Sequence, residues 1–116
     1  MANNFVNSKK TNVPTSLTTV YTPNSGKKSI MIGCMFSNKT GVDVTVDLFI
    51  DGNGTAGGSN VSKDDVYLAK GVTVYAGTSL ELMEAKIVLQ DGDAVQVLCS
   101  AATSVDCVIS LLEDVA

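Results

Sequence analysis

The segment from Val42 to Ile50 places the tightest constraint on the fold, because its side chains alternate strictly. Branched aliphatic residues occupy every second position, and Asp43, Asp47 and Phe49 stand among the residues between them. A period of two places successive side chains on opposite faces of a strand. The segment therefore predicts a β-strand with one face buried in a core.

Several further short segments carry apolar residues at strand spacing, and groups of Gly, Pro, Asn and Asp separate them. Such turn-forming groups lie at 23–26, 38–41 and 91–93. Short strands with turn signals every 8–12 residues or so are typical of sandwiches and barrels. We therefore predict an all-β fold, a single-domain antiparallel β-sandwich of about eight strands. A jelly-roll order and an immunoglobulin-like order both remain open.

The segment 79–89 fits two kinds of secondary structure. Leu80, Met83 and Ile87 have helical spacing within a sequence rich in helix-forming residues. Apolar residues also alternate at both ends of the segment, as strand residues do. We favour two short strands with an irregular connection at residues 83–85.

The first 14 residues differ in character from the rest of the chain. They are polar and end at Pro14, with Phe5, Val6 and Val13 as isolated apolar residues. We predict an extended N-terminal arm over residues 1–14, either disordered or ordered against a neighbouring subunit through Phe5 and Val6. Residues 15–116 then form the β-sandwich domain.

Composition argues against most catalytic chemistry. The chain has no His and no Trp, and all eight basic residues are lysines, so Arg is also absent. Histidine bases, histidine metal ligands and bidentate guanidinium groups are therefore excluded. We predict that the protein is not an enzyme, and we assign no catalytic, cofactor-binding or metal-binding residue.

Two classes of partner are also disfavoured. The net charge is −4, whereas nucleic-acid binding requires a basic surface. Residues 1–10 lack the apolar stretch of a signal peptide, and no run approaches the roughly 18 apolar residues of a spanning helix. We therefore expect neither a nucleic-acid nor a membrane partner.

The cysteines and one polar loop leave alternatives open. Cys34, Cys99 and Cys107 lie inside apolar runs without CxxC spacing, which predicts buried free thiols or a Cys99–Cys107 bridge. The glycine-rich segment 51–65 begins like a calcium loop but lacks the glycine and glutamate that an EF-hand requires. We predict a flexible loop there, with a weak ion or glycan site as the alternative.

The predicted strands carry more apolar residues than one buried face requires. Leu98, Val108 and Leu112 fall on predicted outward faces, whereas a sandwich strand needs only one apolar face. Such residues are either covered within the monomer or form contacts with other copies or a partner. The candidate partner contacts are Phe5, Val6, Met31, Met35, Phe49, Tyr67 and Tyr75.

Six strand-and-turn segments carry a resemblance to a known class of protein. They are Leu17–Thr22, Ser29–Ile32, Val44–Leu48, Tyr67–Leu82, Lys86–Asp93 and Val105–Glu113. Together they resemble small β-sandwich virion proteins of tailed bacteriophages, especially of marine and cyanobacterial phages. The resemblance implies an accessory structural component present in many copies, and it transfers no functional residue.

From this resemblance we expect a capsid decoration, or cement, protein that stabilises the shell through repeated contacts with the major capsid protein. It would be a homo-oligomer located in the virion after assembly in the host bacterial cytoplasm. One alternative is a neck or tail accessory protein, a collar or fibre-attachment piece that binds neck or tail proteins. Another is a carbohydrate- or receptor-binding module that uses the 51–65 loop with Tyr67 or Tyr75.

Overall fold

The computed structural model describes residues 4–52 and 64–115, which form nine strands and no helix. The strands are β1 Asn4–Lys10, β2 Thr18–Tyr21, β3 Lys28–Asn38, β4 Val44–Asp51, β5 Val66–Val74, β6 Ser79–Glu81, β7 Ile87–Leu89, β8 Ala94–Cys99 and β9 Val105–Val115. They form two sheets whose strand pairs are all antiparallel. The predicted all-β sandwich is confirmed.

The order of the strands is that of a jelly roll. Sheet A has the order β1-β9-β3-β6, with β7 also paired to β3, and sheet B has the order β2-β8-β4-β5. In both sheets strands from the beginning and the end of the chain lie side by side, as nested Greek keys require. An immunoglobulin-like order would instead place the first two strands in one sheet. The structure thus decides between the two orders that the sequence left open.

The strand β4 follows the predicted alternation. Val44, Val46, Leu48 and Ile50 are buried, whereas Val42 precedes the strand and is 68% exposed. The apolar core lies between the two sheets. It contains Val13, Met31, Cys34, Phe36, Val44, Val46, Leu48, Ile50, Val74, Leu89, Val95, Val97, Cys99, Val105, Cys107, Ile109 and Leu111.

Residues 4–14 belong to the sandwich, which differs from the extended arm expected over residues 1–14; residues 1–3 lie outside the described part of the chain. Strand β1 pairs with β9 over seven consecutive residues, from Asn4 opposite Glu113 to Lys10 opposite Cys107. Val13 is fully buried, and its N–H donates to the carbonyl oxygen of Val105 at 2.7 Å. The polar composition concealed the strand because β1 lies at a sheet edge and contributes few side chains to the core.

Strands β6 and β7 are two halves of one interrupted edge of sheet A. Residues 79–81 pair with the C-terminal part of β3, and residues 87–89 pair with its N-terminal part. The predicted pair of short strands with an irregular connection is therefore confirmed, and the helical alternative is wrong.

Candidate interaction surface

The outer face of sheet A carries apolar side chains that cross four strands. The register places Phe5 opposite Leu112, Leu112 opposite Ile30, and Ile30 opposite Val88. Residues directly opposite each other share one face of a sheet. Phe5 is 78% exposed and Val88 is 57% exposed, while the two residues between them are half-buried. We call these four residues the apolar row.

A second row crosses the same face nearer the other end of the strands. It places Lys9 opposite Val108, Val108 opposite Met35, and Met35 opposite Glu81. Met35 is 39% exposed. This row is apolar in its middle and charged at both ends, so the apolar surface of the sheet is widest along the apolar row.

A β-bulge inside β3 changes which residues of this strand face outward. The register with β9 shifts between Met31 and Gly33, which is a β-bulge. Met31 is fully buried opposite Leu111, whereas its neighbour Ile32 is 37% exposed. The prediction that Met31 contacts a partner is therefore wrong. Strict alternation failed here because one extra residue in a strand moves every later side chain to the other face.

The remaining candidate contacts on sheet A divide into two groups. Phe5 and Met35 lie on the exposed outer face, where they are free to meet another molecule. Val6 is half-buried and packs against the core, opposite the buried Leu111. Sequence alternation did not single out Ile30 or Val88, because only the pairing of distant strands brings them into line with Phe5.

The outer face of sheet B is more polar. Phe49 and Tyr67 pair with their ring centroids 4.7 Å apart, and the Lys70 Nζ atom lies 5.1 Å from the centre of the Tyr67 ring. The same ammonium group lies 3.1 Å from a carboxylate oxygen of Asp47. This hydrogen bond and the charge of Asp47 raise the pKa of Lys70. Gln96 also donates to the Thr19 hydroxyl at 3.0 Å on this face.

Asp47 is a charged residue in β4 that is buried because both of its carboxylate oxygens have partners. Only 4% of it is exposed, and its second carboxylate oxygen accepts a hydrogen bond from the Gly71 N–H at 2.7 Å. Gly71 has a φ of +65°, a conformation that favours glycine. The Asp47 carboxylate therefore holds the left-handed backbone of β5 at Gly71. It also holds the Lys70 ammonium group beside the Tyr67 ring, so these side chains have partners within the monomer.

The other candidate residues do not converge on one pocket. Tyr75 is 63% exposed and lies one residue beyond β5, beside a shallow depression lined by Asp43, Thr73 and Ser100. On the open side of the sandwich, a groove runs between the edges β5 and β7. It is lined by Val66, Leu68, Ile87 and Val88 together with the acidic residues Asp64 and Asp93.

Buried polar side chains form hydrogen bonds that connect different strands. In the part of the chain that the structure describes, every buried side-chain nitrogen or oxygen has a hydrogen-bond partner. Tyr21 in sheet B bonds Ser29 at 2.6 Å and donates to Glu113 at 2.9 Å in sheet A. Burial raises the pKa of Tyr21 to about 12, and the Glu113 carboxylate adds to the increase.

The three cysteines are buried free thiols, as the sequence predicted, and no Cys99–Cys107 bridge is formed. The neighbouring Cys107 thiol and burial together raise the pKa of Cys34. A buried thiol with a raised pKa holds little thiolate, which is the reactive form. These residues therefore pack as small apolar side chains.

The predicted loop at 51–65 is described only at its ends, and residues 53–63 lie outside the described part of the chain. A hydrogen bond with Asp65 raises the pKa of Asp51, so these two carboxyl groups are close together. No group of three potential metal ligands occurs among the described residues. No described helix has the length and apolar character needed to cross a membrane.

Comparison with known proteins gives little sequence similarity. No protein-family model matches the chain, and no curated protein is significantly similar to it. One similar solved structure comes from Bacillus endospore appendages, described as "a novel family of disulfide-linked pili". It is 16% identical, with a TM-score of 0.42, and the match covers 100% of this chain and 93% of that chain.

The expectation of a bacteriophage virion protein is corrected by this comparison. The similar structure belongs to a bacterial spore appendage, and the comparison gives no phage protein in support of the decoration, neck or tail assignments. The resemblance that suggested a phage protein extends only to a small β-rich fold. An identity of 16% and a TM-score of 0.42 do not transfer the role of the pilus to this chain.

Proposed function

We propose that this protein is a non-enzymatic structural subunit that works by associating with further copies of itself. The observation that carries the proposal is the apolar row on the outer face of sheet A. A soluble sheet with one free face normally presents polar side chains there. Here Phe5 and Val88 stand at opposite ends of the row with more than half of each side chain exposed.

The contrast between the two outer faces supports this proposal. On sheet B, the exposed aromatic residue Tyr67 is paired with Phe49 and Lys70, and Gln96 is bonded to Thr19. On sheet A, the residues of the apolar row lie opposite one another, and both of its ends are exposed. Apolar side chains that remain in water on one face favour burial against another molecule.

We propose a second copy as the partner, because the outer face of sheet A carries apolar residues together with charges of both signs. The apolar row lies beside a row that ends in Lys9 on one edge and Glu81 on the other. Two such faces that meet in opposite directions bring apolar residues together and place opposite charges near one another. The same surface is then complementary to itself, as a twofold contact requires.

Sedimentation velocity over a range of protein concentrations tests the proposal. We expect the wild-type protein to sediment as an oligomer and Val88→Thr to weaken the association. Replacing a buried methyl by a hydroxyl costs about 1–2 kcal/mol, which corresponds to roughly a tenfold loss of affinity or more. Val42→Thr is the matched control, because Val42 is 68% exposed and lies outside both sheets.

Two results would contradict the proposal. A wild-type protein that stays monomeric from micromolar to millimolar concentration would remove its basis. Equal effects of Val88→Thr and Val42→Thr would show that the outer face of sheet A does not form the contact. Circular dichroism of each variant verifies that the sandwich is intact.

A further inference from the structure

The four sheet edges are protected against strand pairing to very different degrees. Natural proteins protect edges with short strands, bulges, prolines and charges. Strand β2 has four residues and an irregular register, and Pro14 and Pro23 flank it. Strands β6 and β7 have three residues each. Strand β5 is longer, but its pairing with β4 shifts twice and it contains the left-handed Gly71.

Strand β1 lacks most of these protections. It pairs with β9 through seven consecutive residues without a register shift, and it contains no proline. The strand stands at the end of the order in sheet A, so no described strand pairs with its other side. The Ser8 hydroxyl donates to the Val20 carbonyl in β2, which holds β1 against the other sheet at one point.

We propose that the β1 edges of two copies pair antiparallel about a twofold axis at Asn7. This inference rests on the proposed self-association and adds a second contact between copies, at the β1 edge, to the contact through the outer face of sheet A. Two residues that lie opposite each other must have their side chains on the same face of the joined sheet. Side chains alternate along β1, so both residue numbers must be odd or both must be even, and their sum is even. Complete overlap of residues 4–10 gives 4 + 10 = 14, so Asn7 lies opposite Asn7 of the second copy.

Charge supports this register. Lys9 and Lys10 are at one end of β1, and Glu113 is paired with Asn4 at its other end. The antiparallel arrangement places Lys10 of the second copy opposite Asn4, two strand spacings or ~9.6 Å from Glu113 on the same face. Extended lysine and glutamate side chains span that distance together. In the described residues of the monomer, the ion pairs are made by Lys39 and Lys70, and Lys10 makes none.

The same register covers the most exposed apolar side chain of the molecule's described part. Phe5 lies opposite Lys9 of the second copy, and both side chains are on the outer face. The lysine stem can lie along the phenyl ring while its ammonium group approaches the face of the ring. Phe5 is 78% exposed in the monomer and lies opposite Leu112 on one side, so this contact gives it a neighbour on its other side.

The pairing also has a consequence for the outer face. A twofold axis perpendicular to the sheet keeps both outer faces on one side. Two five-stranded sheets then become one continuous sheet that carries two apolar rows. The edge contact therefore enlarges the surface that we propose for self-association.

Disulfide trapping with Asn7→Cys tests this register directly. Asn7 is exposed, and the native thiols are buried, so the new thiol is the reactive one. Opposed residues have Cα atoms about 4.5–5.5 Å apart, which lies within the range of a disulfide. Under mild oxidation we expect Asn7→Cys to form a covalent dimer roughly tenfold faster or more than Asn4→Cys, because Asn4 faces Lys10 instead.

Further variants complete the experiment. An affinity-tagged Phe5→Cys mixed with untagged Lys9→Cys should form a cross-linked heterodimer, while neither variant should cross-link alone. Lys10→Glu should weaken wild-type association by about tenfold, as expected for a close charge pair. Lys86→Glu is the control with the same change of charge, because Lys86 lies beside the opposite edge of sheet A.

The outcomes separate this inference from the proposed function. An oligomeric wild type with rapid Asn7→Cys cross-linking supports both. An oligomeric wild type in which Asn7→Cys cross-links no faster than Asn4→Cys overturns the β1 register and leaves the proposed self-association standing. A monomeric wild type with slow, equal cross-linking overturns both.

Discussion

The Glu81 carboxylate accepts a hydrogen bond from the backbone N–H of Cys34 at 2.9 Å, at a point of β3 that neither β6 nor β7 pairs with. Glu81 is the last residue of β6, and Cys34 lies opposite the gap between β6 and β7. The same carboxylate oxygen accepts from the Met83 N–H at 3.1 Å. The Leu82 N–H donates to the Cys34 carbonyl oxygen at 2.9 Å, so the Glu81 side chain and this backbone bond together replace the strand bonds that are lost where the edge is interrupted.

The first prediction concerns this carboxylate. Glu81→Ala should lower the free energy of unfolding by about 1–3 kcal/mol, because it leaves the N–H of Cys34 without an acceptor. Glu81→Gln keeps a carbonyl oxygen and should lose less. Urea denaturation monitored by circular dichroism measures both, and equal losses for the two variants would contradict the proposed role of the oxygen.

The second prediction compares Met31 with Ile32, two adjacent residues at the β3 bulge, one buried and the other partly exposed. Met31→Ala should cost about 2–5 kcal/mol of stability, because it leaves a cavity in the core. Ile32→Ala should cost less than about 1 kcal/mol, since that side chain is 37% exposed. Strict alternation of the sequence groups Ile32 with the buried Cys34 and Phe36, so a reversed order of the two losses would place the bulge elsewhere.

The local pattern of β4 and the short strands around residue 84 could be predicted because the relevant signal lies within a few residues. The β3 bulge could not, since a bulge is a property of two paired strands. Met31 was assigned to the wrong face for that reason. Strand β1 was missed because its polar residues suit an edge as well as a free arm.

The candidate surface depends on the same non-local information. Phe5 and Met35 stood out as surplus apolar residues, but the apolar row exists only because β1, β9, β3 and β7 lie side by side. Strand order follows from long connections across the sandwich, which leave no periodicity in the sequence. Composition therefore indicated a contact surface without locating it.

The third prediction concerns the joint around Asp106 at one end of the sandwich. Its carboxylate accepts a bond from the Asn12 N–H at 2.9 Å and lies 2.9 Å from the Lys39 ammonium group. The bond from Asn12, followed by Lys39, lowers the pKa of Asp106 below its ordinary value of 3.8. The resulting stability is present above pH 3.8 and is lost as the pH falls through the lowered value.

Asp106→Asn should therefore lower the free energy of unfolding at neutral pH and have a smaller effect in strong acid. The loss should be about 1 kcal/mol or less, because the side chains of the pair are partly exposed. Lys39→Met removes the charge partner of Asp106 and the bond from Lys39 to the Asn12 amide oxygen, but it keeps the bond from the Asn12 N–H to Asp106. It should give a smaller loss that decreases at high salt. Chemical denaturation across the acid range measures both variants, and a loss for Asp106→Asn that does not change with pH would contradict the role of its charge.

The last prediction concerns Tyr21, whose hydroxyl joins the two sheets through Ser29 and Glu113. Burial raises the pKa of Tyr21 from its ordinary value of 10.0 to about 12, so folding favours the protonated phenol. The associated stability is complete below pH 10 and is lost as the pH rises through about 12. We expect the wild-type protein to lose stability over this range and Tyr21→Phe to lose less. Tyr75→Phe serves as the control, because that side chain is 63% exposed, and it should follow the wild-type curve. If Tyr21→Phe and Tyr75→Phe gave the same dependence on alkaline pH, the joint between the sheets would not depend on the Tyr21 proton.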